Sequence, residues 1–388
     1  MNAAATALSL SAVAVGLPGL GAAAHLGTLA LASLAYREPR PRGPVPPVRF
    51  LVLIPAHNEQ AVLGRTLKAI NAAIRPRDRV VVVADRCTDA TEKIAREHGA
   101  DVVVRPEGSE PGRAAARQAG LDHARGLDWD AIVMIDADSV CDAGFFDACE
   151  RALAGGAQAL QTRSEMLLGG GLAAQASVAS FALQGVLIPR GRDRLGLLVR
   201  LRGTGMVLRR PVVERYSFRA AAGEDRWYGT ELGLDGILPR HVESARLRSE
   251  NVDTWKSAAA QRVRYEAGRM SAAREFVPRL LRRPTAATVE AAVELLTPPF
   301  AIAVGSAAAA TALAVASGGV PLIIVTSGSL AVLSLTLVTG LLQADAPART
   351  WLALLSAPGY IAWKLAVQAR AFAAVRREQD YFPPTART

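Results

Sequence analysis

Two stretches of this chain contain no Asp, Glu, Lys or Arg: residues 1–36 and residues 295–344. A water-soluble domain scatters charge over its surface, so gaps this long leave few folds open. About 20 apolar residues rising ~1.5 Å each cross a hydrocarbon core of roughly 30 Å. The first stretch fits one crossing. The second, 50 residues long, fits two, joined at Ser317-Gly318-Gly319-Val320-Pro321. The chain of 388 residues is therefore expected to be a membrane protein with three crossings and a large water-exposed middle. A fourth crossing is the alternative. Residues 351–363 are apolar but only 13 long, are interrupted by Pro358-Gly359, and lead into Lys364, Arg370, Arg376 and Arg377. An amphipathic helix lying on the membrane suits that pattern better, and residues 277–281, set among Arg274, Arg279, Arg282 and Arg283, read the same way.

Arginine placement sets an expected orientation. Arg37, Arg40 and Arg42 follow the first gap, and Arg279, Arg282 and Arg283 precede the second. Short Arg-rich flanks stay in the cytoplasm, which puts residues 37 to 294 inside, on a multi-pass protein of the inner cell membrane. A cleaved signal peptide would need a basic start, and residues 2–8 have no Lys or Arg. The net charge of +10 is mostly arginine beside the gaps, where anionic headgroups lie. With aromatics at 5%, it does not read as a nucleic-acid surface. Cys87, Cys141 and Cys149 lack C-x-x-C spacing and read as reduced thiols rather than zinc ligands.

The middle alternates strands with helices after a stiff Pro-rich linker at 41–47. Apolar β-branched runs predict a strand buried on both faces at 48–54 and a second buried strand at 80–84, with further strands at 101–104 and 131–135. Helical spacing at 59–73, 90–98 and 113–124 fills the gaps, so a mostly parallel sheet is expected. Ligands of such sheets sit beyond the carboxyl ends of the strands. There the chain reads Pro55-Ala56-His57-Asn58-Glu59, then Asp85-Arg86-Cys87-Thr88-Asp89, then Asp136-Ala137-Asp138. One acidic strand end is commonly a helix cap, and Asp89 reads as such. Three together point to a shared ligand. No G-x-G-x-x-G follows the first strand and no Lys follows a glycine loop, which excludes a nicotinamide dinucleotide and a P-loop substrate. Asp136-x-Asp138 presents two carboxylates that suit Mg²⁺ or Mn²⁺, the other ligands being phosphate and water. A solvated turn is the bland alternative. Further on stand Gly203-Thr204-Gly205-Met206, Gly223-Glu224-Asp225 and Gln261-Arg262-Val263-Arg264-Tyr265.

Taken in order, this set resembles the membrane-anchored family 2 glycosyltransferases of the GT-A fold, relatives of the cellulose, chitin and hyaluronan synthases and the ceramide glucosyltransferases. The resemblance runs from about residue 48 to 269. It implies a Rossmann-like catalytic domain with transmembrane and interfacial helices. It implies that Pro55, Ala56, His57, Asn58 and Glu59 meet the nucleotide, that Asp85 binds uracil, and that Arg113 of Gly112-Arg113 stands where Gly-Lys is usual. Asp136 and Asp138 would hold the metal, and Asp225, beside Glu224, would be the catalytic base. Gln261 and Arg264 match Gln-x-x-Arg-Trp, with Tyr265 for the Trp and Arg264 on the diphosphate. Gly203, Thr204, Gly205, Glu224 and Tyr265 would line the sugar and acceptor pocket.

The expected activity is metal-dependent, inverting transfer of a hexose from a nucleotide-diphosphate sugar, UDP-linked by resemblance, to a lipid or glycan hydroxyl. Single transfer to a lipid is favoured over processive polymer synthesis, because three Ala- and Gly-rich crossings offer little wall for a channel. A catalytically decayed nucleotide-sugar scaffold is a third reading, disfavoured because every acidic position of the set is present. The expected organisation is a membrane helix (1–36), a basic linker (37–47), the catalytic domain (48–256), interfacial helices (257–294), two membrane helices (295–344) and an interfacial tail (345–388).

Overall fold

The computed structural model describes residues 3–41, 43–167, 171–218, 223–250 and 255–376. An apolar helix, α1 (Ala3–Leu34), comes first. The alternating part follows as β1 (Phe50–Ala56), α2 (Leu63–Ala73), β2 (Arg79–Asp85), α3 (Thr91–Glu97), β3 (Asp101–Arg105), α4 (Arg113–Ala124) and β4 (Ala131–Met134). Next come β5 (Ser139–Cys141), α5 (Phe145–Ala154) and β6 (Ala159–Met166). Helix α6 (Leu172–Phe181) continues through a π-helical stretch, Ala182–Leu187, into α7 (Ile188–Arg194). Then β7 (Met206–Arg209), α8 (Arg210–Arg215), α9 (Glu224–Leu234) and β8 (Arg240–Ser249) complete the sheet region. The rest is helical: α10 (Trp255–Arg282), α11 (Ala286–Leu296), α12 (Phe300–Ser317), α13 (Val320–Gln343), α14 (Ala348–Ala353) and α15 (Ala357–Arg376).

The eight described strands form one sheet in the order β3-β2-β1-β4-β7-β6-β8-β5. Its first half is parallel, as the sequence predicts. The second half is mixed: β7 runs antiparallel to β4 and β6, and β5 antiparallel to β8. Successive residues of β1 point to opposite faces. Val52 and Ile54 pack with Leu63, Leu67, Phe145 and Phe146, while Leu51 and Leu53 pack with Val83, Leu121 and Trp129. Both faces are thus covered, which is why the strand reads as an unbroken apolar run. Helix α4 lies tight on this sheet at Gly120, where a Cβ would stand 2.3 Å from Leu53 Cδ1. That close approach brings the start of α4 to the carboxyl ends of β1 and β4.

Three described helices are long and apolar enough to cross a membrane: α1, α12 and α13. They meet through small residues, with Gly16 against Ala310, Gly19 against Ala303 and Ala307, and Gly27 against Val332. Small residues let helix backbones approach where lipid gives no hydrophobic drive. Pro18 lies inside α1. Beside it, Ser306 Oγ accepts from the Gly19 N–H at 3.1 Å and donates to the Val15 carbonyl at 2.5 Å. A neighbouring hydroxyl thereby satisfies backbone groups next to the proline.

The tail corrects one expectation. The run 351–363 is interrupted as expected, since α14 gives way to a 3₁₀ turn at Leu354–Ser356 and Pro358 lies in the first turn of α15, where a missing N–H costs nothing. What differs is the direction of Lys364. Lys364 on that helix turns inward, 4% exposed, and pairs with Glu266 of α10 at 2.8 Å. Arg269, one turn on, pairs with Glu266 and donates to the Leu295 and Thr297 carbonyls at the end of α11. An ion pair therefore pins the tail helix to α10.

Candidate active site

The loops beyond β1 and β2 are laced together. The His57 ring meets the Asp85 carbonyl at 2.6 Å, and the Asn58 side chain accepts from the Thr88 N–H at 2.8 Å. The Glu59 N–H donates to Thr91 Oγ1, and Asp89 accepts from the Gln60 and Thr91 N–H groups. Asp89 thus serves the backbone at the start of α3, the structural role expected of it. Asn58 and Arg86 hold φ values of 55° and 51°, a left-handed conformation that non-glycine residues adopt at some cost. Pro55 and Ala56 close β1 beneath this loop. The Asp85 carboxylate, 6% exposed, is engaged by Arg105 at 2.5 Å and Arg86 at 3.2 Å. A base reaching Asp85 would meet a carboxylate already shared with two guanidinium groups.

Asp136-Ala137-Asp138 is the turn from β4 to β5, and its frame is fixed by hydroxyls. Thr204 Oγ1 accepts from the Asp136 N–H at 3.1 Å, Thr66 donates to the Ala137 carbonyl at 2.8 Å, and Ser139 donates to Asp138 at 3.2 Å. Asp136 faces two cations, Arg113 at 3.3 Å and Arg117 at 3.8 Å. Among the described residues no group of three or more His, Cys, Asp or Glu could hold an ion unaided. The donor set is two carboxylates on one turn. It suits an ion that completes its shell with phosphate oxygens and water.

The centre of the site is Gly203. Its φ is 81°, and a Cβ there would stand 3.2 Å from Arg117, 3.4 Å from Asp225 Oδ2 and 3.6 Å from Arg113. Two residues on, Gly205 has a φ of 71° and its missing Cβ would fall 2.1 Å from Thr162 Oγ1. Buried Gln161 holds this loop from β6, donating to the Thr204 carbonyl and accepting from the Arg202 N–H, both at 2.9 Å. Arg117, fully buried, donates to Glu224 at 2.7 Å and to the Gly203 carbonyl at 2.8 Å. Gly223, with a φ of 77°, starts α9 so that Glu224 and Asp225 fall in its first turn. Carboxylates there are favoured by the helix dipole. Burial pushes the Glu224 carboxyl above the usual range, while Arg117 pulls it back.

Helix α10 brings Arg264 and Tyr265 to the same place. Burial pushes the Arg264 guanidinium down, and Tyr265, Arg113 and Glu224 act on it electrostatically. Tyr265 is 56% exposed. Gln261 lies in the same helix, with its side chain outside the described ones.

Most residues singled out in the sequence thus gather at one end of the sheet. Arg117 was missed, although Arg113-Ala114-Ala115-Ala116-Arg117 places two arginines one turn apart on an otherwise small-residue stretch. Glu294 was missed as well. It holds Arg226 at 3.0 Å and Arg200 at 3.2 Å, so α11 grips the residue after Asp225.

Several known proteins are similar to this chain. The probable glycosyltransferase YdaM of Bacillus subtilis is 24% identical over 249 residues, 60% of this chain and 57% of that protein. An uncharacterized glycosyltransferase of Mycobacterium tuberculosis is 39% identical over 93 residues, 24% of this chain and 38% of its own length. The chain therefore spans little more than half the length of the first of these relatives and less of the second. The structure of mannosyltransferase PcManGT from Pyrobaculum calidifontis, in complex with GDP-Man and Mn²⁺, aligns over 96% of this chain and 100% of its own. Its TM-score is 0.59 at 17% identity, a likeness of fold. Residues 46–268, more than half of the chain, match the family described as Glycosyltransferase like family 2. On that match, and with a sheet of the GT-A type, this chain belongs to glycosyltransferase family 2.

Proposed function

We propose that this chain transfers one sugar, with inversion, from a nucleotide-diphosphate sugar to a lipid or lipid-linked hydroxyl at the cytoplasmic face of a membrane. The observation that carries this reading is the meeting of Arg113, Arg117, Glu224 and Asp225 around Gly203, beside the Asp136-x-Asp138 turn. The nucleotide would lie on the loops after β1 and β2, near His57, Asn58 and Asp85. Arg113 and Arg264 would meet the diphosphate and stabilise the charge that grows on it as it leaves. Asp225 would take the acceptor hydroxyl's proton while C1 is attacked from the face opposite the diphosphate. One base and one displacement invert the anomeric centre. Glu224, fixed by Arg117, would orient the sugar hydroxyls. Asp136 and Asp138 would hold Mg²⁺ or Mn²⁺, which supplies Lewis-acid charge against the phosphates.

The membrane part of the reading is supported by α1, α12 and α13 and by exposed apolar side chains on the tail, Leu352, Leu355, Leu365 and Phe372. The arginines at 37 and 40 and at 279, 282 and 283 flank these helices on the catalytic side, which supports a cytoplasmic active site.

The test is to incubate purified protein with a panel of UDP- and GDP-sugars and total membrane lipid, then identify products by mass. A lipid heavier by one hexose is expected. A ladder of many sugars would replace single transfer by polymer synthesis, and no product from any donor would overturn the reading. In the same assay excess chelator is expected to stop transfer, and Mg²⁺ or Mn²⁺ to restore it. Undiminished activity in chelator would remove the metal role from Asp136 and Asp138.

A further inference from the structure

We propose that the acceptor carries a phosphate close to the hydroxyl that is glycosylated, and that Arg202 and Arg262 bind this phosphate. The inference rests on the assignment of Asp225 to the acceptor side and goes on to name the acceptor's chemistry.

Helix α6 presents Ser177, Ser180 and Phe181 on one face, at i, i+3 and i+4. Two arginines from distant parts of the chain lie on that face. The Arg202 guanidinium stacks over the Phe181 ring at 4.7 Å. The Arg262 guanidinium donates to Ser180 Oγ and Ser177 Oγ, each at 3.4 Å. Among the described residues neither forms an ion pair with a carboxylate. Their neighbours do: Arg200 and Arg226 share Glu294, Arg192 has Glu290, Arg117 has Glu224 and Arg113 has Asp136. Burial, with Arg200 nearby, pushes the Arg202 guanidinium down to about 9. A partly buried cation without an acid is costly by itself. Two such cations held against one face of α6 are relieved by one bound anion. Guanidinium groups match phosphate oxygens in planar, paired hydrogen bonds.

Position decides which anion this is. Arg202 directly precedes Gly203, whose missing Cβ would stand 3.4 Å from Asp225 Oδ2. Asp225 and Tyr265 both act electrostatically on Arg202. The donor diphosphate has its own cations in Arg113 and Arg264. On its other side α6 packs against α14, with Gln175 bound to Thr350 at 2.6 Å, and it also touches the apolar helix α13. The arginine pair therefore lies between the acceptor base and the apolar helices, where an incoming acceptor headgroup would pass.

The test is a titration of the full chain in neutral detergent with UDP and Mn²⁺ present. Ligands are glycerol 3-phosphate, phosphatidylglycerol in mixed micelles, and diacylglycerol as the uncharged control. Both phosphate ligands are expected to bind wild type, and the doubly substituted Arg202→Gln, Arg262→Gln protein to bind them about tenfold or more weakly. The corresponding Arg→Lys pair should keep most of the affinity, which separates lost charge from a lost fold. UDP affinity should be the same in all three. Tighter binding of phosphatidylglycerol than of glycerol 3-phosphate identifies a lipid phosphate as the source, and the reverse order a soluble one. Equal affinities in wild type and the Gln pair, no phosphate binding by wild type, or diacylglycerol binding as tightly as phosphatidylglycerol would each overturn the proposal. Failure of UDP to bind wild type would instead sink the donor-site reading, and the phosphate titrations would still decide the arginine pair.

Discussion

Asp225→Asn is expected to abolish sugar transfer and to leave nucleotide-diphosphate binding unchanged. Asp225 is fixed from several directions. Its Oδ1 accepts from the Arg226 N–H at 2.8 Å, and its Oδ2 faces the Gly203 loop. Arg226 is in turn held by Glu294 at 3.0 Å, and its carbonyl accepts from Thr230 at 2.8 Å. Asparagine has the same shape and can keep a bond to the backbone, so the fold should survive. It cannot take a proton from an attacking hydroxyl. General-base catalysis is worth about 10²–10⁴-fold, so the loss should appear in kcat while the diphosphate affinity stays level. Glu224 is a poor substitute because its carboxylate is committed to Arg117 at 2.7 Å. Turnover near wild type in the Asn variant would move the base role away from Asp225.

That carboxylate was legible only through the order of the whole set and its resemblance to family 2, since a Glu-Asp pair alone is usually surface decoration. The parallel strands were legible for a different reason. Buried on both faces, 131–135 and its like carry no polar residue to interrupt them. The antiparallel half was not legible, because β5 has three residues and β7 four, too few to show a period. Strand β8 reads Arg-His-Val-Glu-Ser-Ala-Arg-Leu-Arg-Ser: Val242, Ala245 and Leu247 enter the core, but a register shift against β6 breaks their alternation, and Arg240 and Arg248 enter ion pairs. Sites assembled across such strands escape sequence reading. Gly203-Thr204-Gly205 could be noticed, yet nothing nearby shows that Gln161, some 40 residues earlier, holds it. Charge-free stretches placed the apolar helices to within a few residues. They could not show that Lys364 turns away from the surface toward Glu266, because an inward lysine and an outward one have the same spacing.

Arg117→Leu is expected to cause the largest loss of stability of any single change at the site. Arg117 is fully buried; it donates to Glu224 and to the Gly203 carbonyl and lies over the Phe218 ring at 5.5 Å. Leucine removes the cation and leaves Glu224, 12% exposed, without its partner. Breaking a buried pair from one side costs about 3–5 kcal/mol. The pH dependence follows from Glu224. Burial already raises its carboxyl above the usual range, against the pull of Arg117. Removing that pull raises it further. A carboxyl raised by folding favours the folded state below its unfolded pKa, and that advantage fades as pH rises through the folded value. The deficit of the leucine variant should therefore be greatest at about pH 8 and narrow toward about pH 5, where the carboxyl of an ordinary Glu begins to protonate. Adding Glu224→Leu removes the stranded charge, so the double variant should melt above the single one at neutral pH while remaining inactive. Thermal unfolding of the three proteins in detergent at both pH values checks this. A deficit independent of pH, or a double variant no more stable than the single, would mean that Arg117 contributes packing alone and that Glu224 does not depend on it.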